Sequence, residues 1–372
     1  MSKISIEGNA SGTGTLTIAA PNTNTNYSLA LPEEAGTITT SNSPYSTFRN
    51  RIINGGFDIA QRGTSFVSGA NDDDTYNLDR WYVLSDGNDA VDITQTTTVP
   101  TGAKYSIGLD VETANKKFGI AQIIENANCF DAIGGNVTLS FQAKVSSTTK
   151  LDNVKCAIVS WSGTADTVTS DIISAWGAEG TNPTLIANAT YENTPANLNV
   201  TTSFATYSVT ANVDTASTAN IIVFIWSDVT DTTAGDFLYI TNVQLEVGSV
   251  ATPFERRPYG QELSLCQRYC QRLGNGSGFS NNTTDLQFSV QYIVPMRATP
   301  TAGGTSSVAL VWTDGAANYT ASNTTISAVY AGTTGAIINP TNFSGLTAFR
   351  PGIANQQSSS GGSATILFTA EL

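Results

Sequence analysis

An all-β fold is what this sequence predicts, on three observations. Short apolar runs recur with turn residues between them, and many alternate with polar residues at a period of two, as half-buried strands do. Helical periodicity is scarce. Charged residues make up 13% of the 372, roughly half the usual share for a soluble domain, and Thr, Ser, Asn and Gly replace them. Lys depletion marks surfaces that subunits bury together, so the composition points to an oligomeric β protein. The expected layout is an N-terminal segment of short strands (1–46), a central jelly-roll-like β-sandwich (47–258), a short linker helix (259–274) and a C-terminal β-sandwich domain (275–372).

In chain order, Leu16 and Ile18 alternate with Thr15 and Thr17, and Tyr27, Leu29 and Leu31 with Ser28 and Ala30. Pro21–Asn24 reads as the turn between these two strands. With so few large apolar residues, this segment needs a partner surface to bury anything. Ser41–Pro44 is a linker. Asn50–Gly63 suggests a strand entering a sharp turn at Gly55-Gly56, and Leu78–Val83 follows about twenty residues later. Strands are then expected at Val137–Val145, Lys155–Trp161, Ala205–Val213, Ile221–Trp226 and Phe237–Leu245. Ile221–Trp226 is apolar throughout, as for a central strand covered on both faces. In the last run Phe237, Tyr239, Thr241, Val243 and Leu245 are expected on one face. Ser170–Trp176 reads as one short helical turn.

Leu263, Cys266, Cys270 and Leu273 recur at helical spacing within Gly260–Gly274. Such a stripe needs packing, either against sister chains about an axis or against its own sandwich. Leu263, Cys266 and Cys270 are the candidate oligomer contacts. Beyond it, Leu286, Phe288, Val290, Tyr292 and Val294 alternate with Gln287, Ser289, Gln291 and Ile293, Pro295 ends that strand, and Val308–Trp312, Thr325–Tyr330 and Ala364–Glu371 give others. Charge nearly vanishes here: from Leu273 onward it is carried by Asp285, Arg297, Asp314, Arg350 and Glu371 alone. Gln356–Ser363 reads as an exposed Gly/Ser-rich loop.

Several chemistries are excluded. The net charge is −13 with no basic face in view, which argues against nucleic-acid binding. Without histidine there is no Ser-His-Asp triad, Cys-His dyad or His-bearing metal site. Cys129 and Cys156 lie in apolar strand contexts and read as buried thiols; a zinc site at Cys266 and Cys270 would need further thiolates. No basic run followed by an apolar core marks a signal peptide, and no 18-residue apolar stretch predicts a membrane span.

Three stretches resemble tailed-bacteriophage virion proteins, especially tail fibres and receptor-binding proteins. They are SGTGTLTIAAPNTNTNYSLALPEEAGTITT near the N-terminus, NGGFDIAQRGTSF with YNLDRW, and the junction LEVGSVATPFERRPYGQELSLCQRY (Leu245–Tyr269) continued by YIVPMRATP. The resemblance implies a virion structural protein, usually a homotrimer, that binds a host surface receptor such as a glycan without catalysis. Residues 1–46 would then attach to other virion proteins. A capsid decoration or head-fibre protein is the alternative, and a polysaccharide-degrading tailspike a third reading. The opening NGGFD also resembles carbohydrate-binding jelly rolls, which implies a structural Ca²⁺ held by Asp58 and Glu246; no other cofactor is expected.

Sugar recognition calls for exposed aromatic rings beside amides and carboxylates. Trp161, Trp176 and Trp312, flanked by small polar residues, are the candidates. Glycosidases use two carboxylates about 5–10 Å apart; the pairs in Asp72–Asp74 and at Asp228/Asp231 read as loop acids, and no β-helical repeat is present. The expectation is therefore a non-enzyme.

Overall fold

Long-range strand pairing decides the architecture. A computed structural model describes residues 48–273, 275–303, 308–356 and 366–372. The two strands expected before residue 46, the linker Ser41–Pro44 and most of the Gln356–Ser363 loop lie outside them. Among the described residues no helix is long and apolar enough to cross a membrane.

The central strands are β1 (Ser65–Phe66), β2 (Tyr82–Ser85), β3 (Val91–Thr96), β4 (Ser106–Val111), β5 (Phe118–Ile124), β6 (Asn136–Val145), β7 (Val154–Trp161), β8 (Ile173–Ala175), β9 (Thr184–Leu185), β10 (Ala189–Tyr191), β11 (Ala205–Asn212), β12 (Asn220–Ser227) and β13 (Phe237–Val247), with a helical turn α1 (Asn126–Cys129). A front sheet, β1-β3-β4-β13-β6-β11, faces a back sheet, β10-β7-β12-β5-β2. β4 pairs with β13, β5 with β12, β6 with β11 and β7 with β10, all antiparallel. Taken from β4 to β7 and β10 to β13, first pairs with last and each inner pair follows suit, which is the double Greek key of a jelly roll. The inner faces meet in one core that includes Trp81, Leu109, Leu139, Phe141, Ile158, Val223 and Ile240.

The back sheet is covered on its outer face too. Tyr82, Ala157, Val159, Ile222, Phe224 and Trp226 pack beneath Ile172, Ile173, Trp176, Cys266, Tyr269 and Leu372. Every residue of β5, β7 and β12 is buried, and that is why Ile221–Trp226 is apolar throughout. The cover explains one correction: Ser170–Trp176 contains strand β8 paired with β9, not a helical turn. Its Ile172, Ile173 and Trp176 are held by the sheet below rather than by local propensity.

A second correction concerns β13. A bulge between Thr241 and Gln244 shifts the alternation by one residue. Leu238, Ile240, Val243 and Leu245 therefore point into the core, while Phe237 and Tyr239 share the outer face. The single face expected for Phe237 through Leu245 is split.

The linker helix α2 spans Tyr259–Gln267, entered at Pro258 and carrying Glu262 in its first turn, where the helix dipole favours an acid. It does not run on to Gly274. Cys270–Leu273 is strand β14, paired with residues 366–369; that distant partner, which no local pattern reveals, overrides the helical spacing of the cysteines. The C-terminal strands continue as β15 (Gly276–Ser280), β16 (Leu286–Gln291), β17 (Thr301–Gly303), β18 (Val308–Thr313), β19 (Asn318–Thr324), β20 (Ile326–Ala331), β21 (Gly335–Pro340), β22 (Pro351–Gln356) and β23 (Ile366–Thr369). A seven-stranded sheet, β19-β18-β22-β15-β16-β21-β20, and a small sheet, β14-β23-β17, share one core around Phe288, Trp312, Ile338 and Phe368.

Candidate functional site

The sequence-predicted site residues are mostly structural. Trp312 is fully buried in the C-terminal core. Trp176 packs on Phe224, ring centroids 6.0 Å apart, and Phe224 stacks on Trp226 at 4.5 Å. Trp161 donates its ring N–H to the Thr164 carbonyl at 3.0 Å and is also buried. None of the three presents a face to a sugar. Small polar neighbours suggest exposure in the sequence, but the Trp161 ring lies against its own turn at Gly163 and the Trp312 ring against Gly352 of β22.

The oligomer stripe is corrected likewise. Cys266 and Cys270 are buried within their own chain, and Leu263 packs beside Cys266 against the outer face of the back sheet. All four cysteines are free thiols. Burial pushes Cys129 up to about 11 and Cys156 up to about 12.

Asp58 and Glu246 have different surroundings. Asp58 lines a small cleft with Gly56, Phe254, Arg256 and Glu262, and burial raises its carboxyl against the pull of Arg256 and Lys104. Glu246 does not line that cleft. Its oxygens accept from the Thr252 N–H (2.8 Å), the Thr252 hydroxyl (2.7 Å) and Gln244 (2.9 Å), and Arg49 lies at 3.6 Å. Among the described residues no group of three or more Asp, Glu, Cys or His side chains is placed to hold a metal ion. Asp228, one of the acids weighed for catalysis, is consumed by Lys117 and by Lys155 at 2.6 Å, with Gly180 donating at 3.0 Å. This buried cluster staples the Trp176 loop onto the sheet.

The recognised motifs form a seam and a clasp. Arg257 donates to the carbonyls of Asn50 and Ile52, Glu255 accepts from the backbone of Phe48 and Asn50, and Glu262 accepts from the Asn54 N–H. The Leu245–Tyr269 junction thus runs along the chain entering the sandwich and fastens its entry to its exit. Asn54 bonds the carbonyls of Ile59 (2.9 Å) and Asp79 (3.0 Å), and Trp81 donates to Asn54 O (3.0 Å). That sets the NGGF turn. Arg80, beside Trp81, reaches Glu371 and lies 3.7 Å over the Tyr269 ring. Arg62 pairs with Glu371 at 2.9 Å, and Arg297 donates to the carbonyls of Ala370 (2.9 Å) and Glu371 (2.8 Å). A cleft of about 450 Å³ beside this clasp is lined by Asp166, Thr169, Arg297, Thr299 and Leu372. Its charged groups are already engaged, Arg297 as above and Asp166 with Asn126 and Asn220.

The open surface lies elsewhere. None of the strands of the seven-stranded sheet carries a charged residue. The inward set of β16, Leu286, Phe288 and Val290, is buried, which leaves Gln287, Ser289 and Gln291 outward. Register aligns Ser277 with Ser289 and Ile353, Ser289 with Ile337, and Ile337 with Tyr330. Tyr330 is 70% exposed. It borders an open groove of about 470 Å³ with Ser289, Gln291, Gly332, Gly335 and Ile337. An aromatic ring, an amide, a hydroxyl and a glycine-lined hairpin therefore meet without a formal charge. Such a site suits hydrogen bonding and stacking, not proton transfer. In the sequence Tyr330 sits in a strand, where an aromatic reads as core; the signal for its exposure is the absence of charge around it.

No protein-family model matches the chain, and no curated protein does. Among solved structures the chain is similar to the enzymatically active domain of tailspike protein 4 of bacteriophage CBA120, at 18% identity and a TM-score of 0.32, over 55% of this chain and 22% of that one. It is also similar to TmCBM61 in complex with β-1,4-galactotriose (14% identity, TM-score 0.28, 54% of this chain, 99% of that one). A third is the CBM22-1 xylan-binding domain of Paenibacillus barcinonensis Xyn10C (12% identity, TM-score 0.28, 46% and 87%). At these identities and scores the likenesses carry no argument about function.

Proposed function

We propose that this chain is a non-catalytic virion protein of a tailed phage, a homotrimeric tail fibre that binds a host surface glycan. Residues 1–46 attach it to the particle, the jelly roll forms its body and the C-terminal β domain presents the receptor surface. The observation that supports binding is the uncharged outer face of the seven-stranded sheet, with Tyr330 exposed above its groove. A neutral glycan needs ring stacking and many uncharged donors and acceptors, and this face offers both. Three such sites on one trimer gain avidity through effective concentration.

The test is a glycan array probed with the full-length protein and with Tyr330→Ala. Binding is expected on neutral glycans and should fall by about tenfold or more in the variant. No binding by the full-length protein, or equal binding by the variant, overturns the glycan reading. Incubation with each bound glycan should release no reducing ends; if it does, the protein is a depolymerase. Antibody-labelled electron microscopy should place it on the tail, and label confined to the head favours capsid decoration.

A further inference from the structure

We infer that the side chains of Lys155 and Asn182 join in an intramolecular isopeptide bond, with Asp228 as the proton-transferring group. The site lies on the jelly roll and does not depend on the glycan reading.

Lys155 stands on β7 directly opposite Trp226 on β12, on the sheet face that the Trp176 segment covers. A side chain beneath such a cover is ordinarily apolar. Lys155 is nearly buried there, and Lys117 and Asp228 wholly so. Lys155 Nζ touches two groups, Asp228 Oδ2 at 2.6 Å and Asn182 Oδ1 at 2.9 Å. An amine, a carboxamide and a carboxylate thus meet in one site shielded from water. Asn182 is held on both sides. The Thr181 carbonyl accepts from Lys117 at 3.2 Å, and the Pro183 carbonyl accepts from the Tyr191 hydroxyl at 2.8 Å. Gly180, in the same loop, donates its N–H to Asp228 Oδ2 at 3.0 Å. Groups fixed in contact in this way react as one molecule, at a high effective concentration.

The charge balance favours the same outcome. Among the described residues Asp228 is the one carboxylate that pairs with either lysine. Glu179, in the covering loop, is exposed and accepts from Thr230 instead. Two ammoniums against one carboxylate leave a positive charge unbalanced, which is costly in a buried site. Lys117 is tied down as a cation, since it donates to the Ala178 carbonyl (2.7 Å) as well as to Thr181 and Asp228. Amide formation at Lys155 removes the excess charge and leaves Lys117 and Asp228 as a balanced pair.

The step needs no co-reactant. Asp228 Oδ2 takes a proton from Lys155 Nζ, and the neutral amine attacks Cγ of Asn182. The Cγ–Nδ2 bond breaks as the new Nζ–Cγ bond becomes an amide. Nζ gives up a second proton, and Asp228 passes both to Nδ2, which departs as ammonium and carries the excess charge out of the site. The product ties residues 27 apart in sequence and fixes the Trp176 cover to β7. It constrains the unfolded chain as a disulfide does, in a protein whose four cysteines are all free thiols.

The test is intact-mass spectrometry of the denatured full-length protein, then tryptic digestion and tandem mass spectrometry. The mass should lie one ammonia below that calculated from the sequence, with or without the initiator Met, and the digest should contain a branched peptide linking Lys155 to Asn182. Asn182→Ala should restore the full mass. Asp228→Asn, with both reacting groups intact, should also keep its ammonia, and circular dichroism of each variant checks that it folds. Succinimide formation at an Asn-Gly step such as Asn54-Gly55 also releases ammonia, but it would persist in Asn182→Ala and give no branched peptide. A full mass for the folded wild-type protein, an ammonia loss that persists in Asn182→Ala, or a digest with Lys155 and Asn182 on separate peptides overturns the inference. Complete bond formation in folded Asp228→Asn would overturn the role of Asp228.

Discussion

Glu371 shows how much one side chain near the chain end can hold. Its carboxylate is shared by Arg62 and Arg80, all three nearly buried. Removing one partner of a buried ion pair strands the others in a medium that solvates them poorly, at a cost of about 3–5 kcal/mol. Glu371→Gln should lower unfolding free energy by about that amount in urea titration; a change under about 1 kcal/mol would mean the arginines find water instead. Gly55 is constrained by space. A Cβ there would lie 2.0 Å from the Val243 carbonyl oxygen, so Gly55→Ala must displace the bulged strand and should cost about 3 kcal/mol. Glu125 gives a pH signature. Burial pushes its carboxyl up, but hydrogen bonds from Arg268 (2.6 Å) and Tyr269 (2.8 Å) outweigh this and hold it below the ordinary value. A folded pKa below the unfolded one contributes stability above the unfolded value, about 4.3, and that contribution is lost as pH falls through the folded one. Glu125→Gln should therefore flatten the acid side of the stability curve from about pH 5 downward; parallel curves for the two proteins would refute this. The thiols are a simpler case. All four are buried and free, so a thiol reagent should label none in the native protein and all in urea.

At the level of elements, the distinction is between strands that local pattern specifies and strands that a distant partner specifies. β6, β7, β11 and β12 fall within a residue or two of where alternation and apolar runs place them. Their periodicity is set by burial on one or both faces, and that is written in composition along the strand. β8 and β14 are of the other kind. Each is short, and each is extended because of what it lies against: the apolar outer face of the back sheet for β8, strand β23 for β14. Trp176, in the loop that follows β8, shows the consequence. Trp176→Ala should lower stability by about 3–5 kcal/mol and leave glycan-array binding of the folded protein unchanged. A stable variant with lost glycan binding would return Trp176 to the recognition surface. The β13 bulge belongs here as well. Alternation read straight through Thr241 to Val243 puts five residues on one face, whereas the inserted residue turns Phe237 and Tyr239 outward.

Among the described residues, the jelly roll and the C-terminal sandwich fall in one compact unit, fastened by the seam and the clasp. Calorimetry should accordingly give a single transition for both lobes. Two transitions well separated in temperature would show that the buried network does not couple them. Mass photometry at micromolar concentration should give a trimer, and a monomer would remove that part of the proposal.

The all-β class, the jelly roll followed by a second sandwich, and the emptying of charge toward the C-terminus were all legible in the chain, because binary pattern and composition are local records of burial. Which aromatics face solvent was not. Trp161 is covered by its own Gly163–Thr164 turn, whereas Trp176 packs on Phe224 and Trp312 lies against β22, both far along the sequence; Tyr330, Phe237 and Tyr239 face outward because of register and a bulge. Exposure is a property of what packs on a residue, and only the tertiary structure supplies those neighbours.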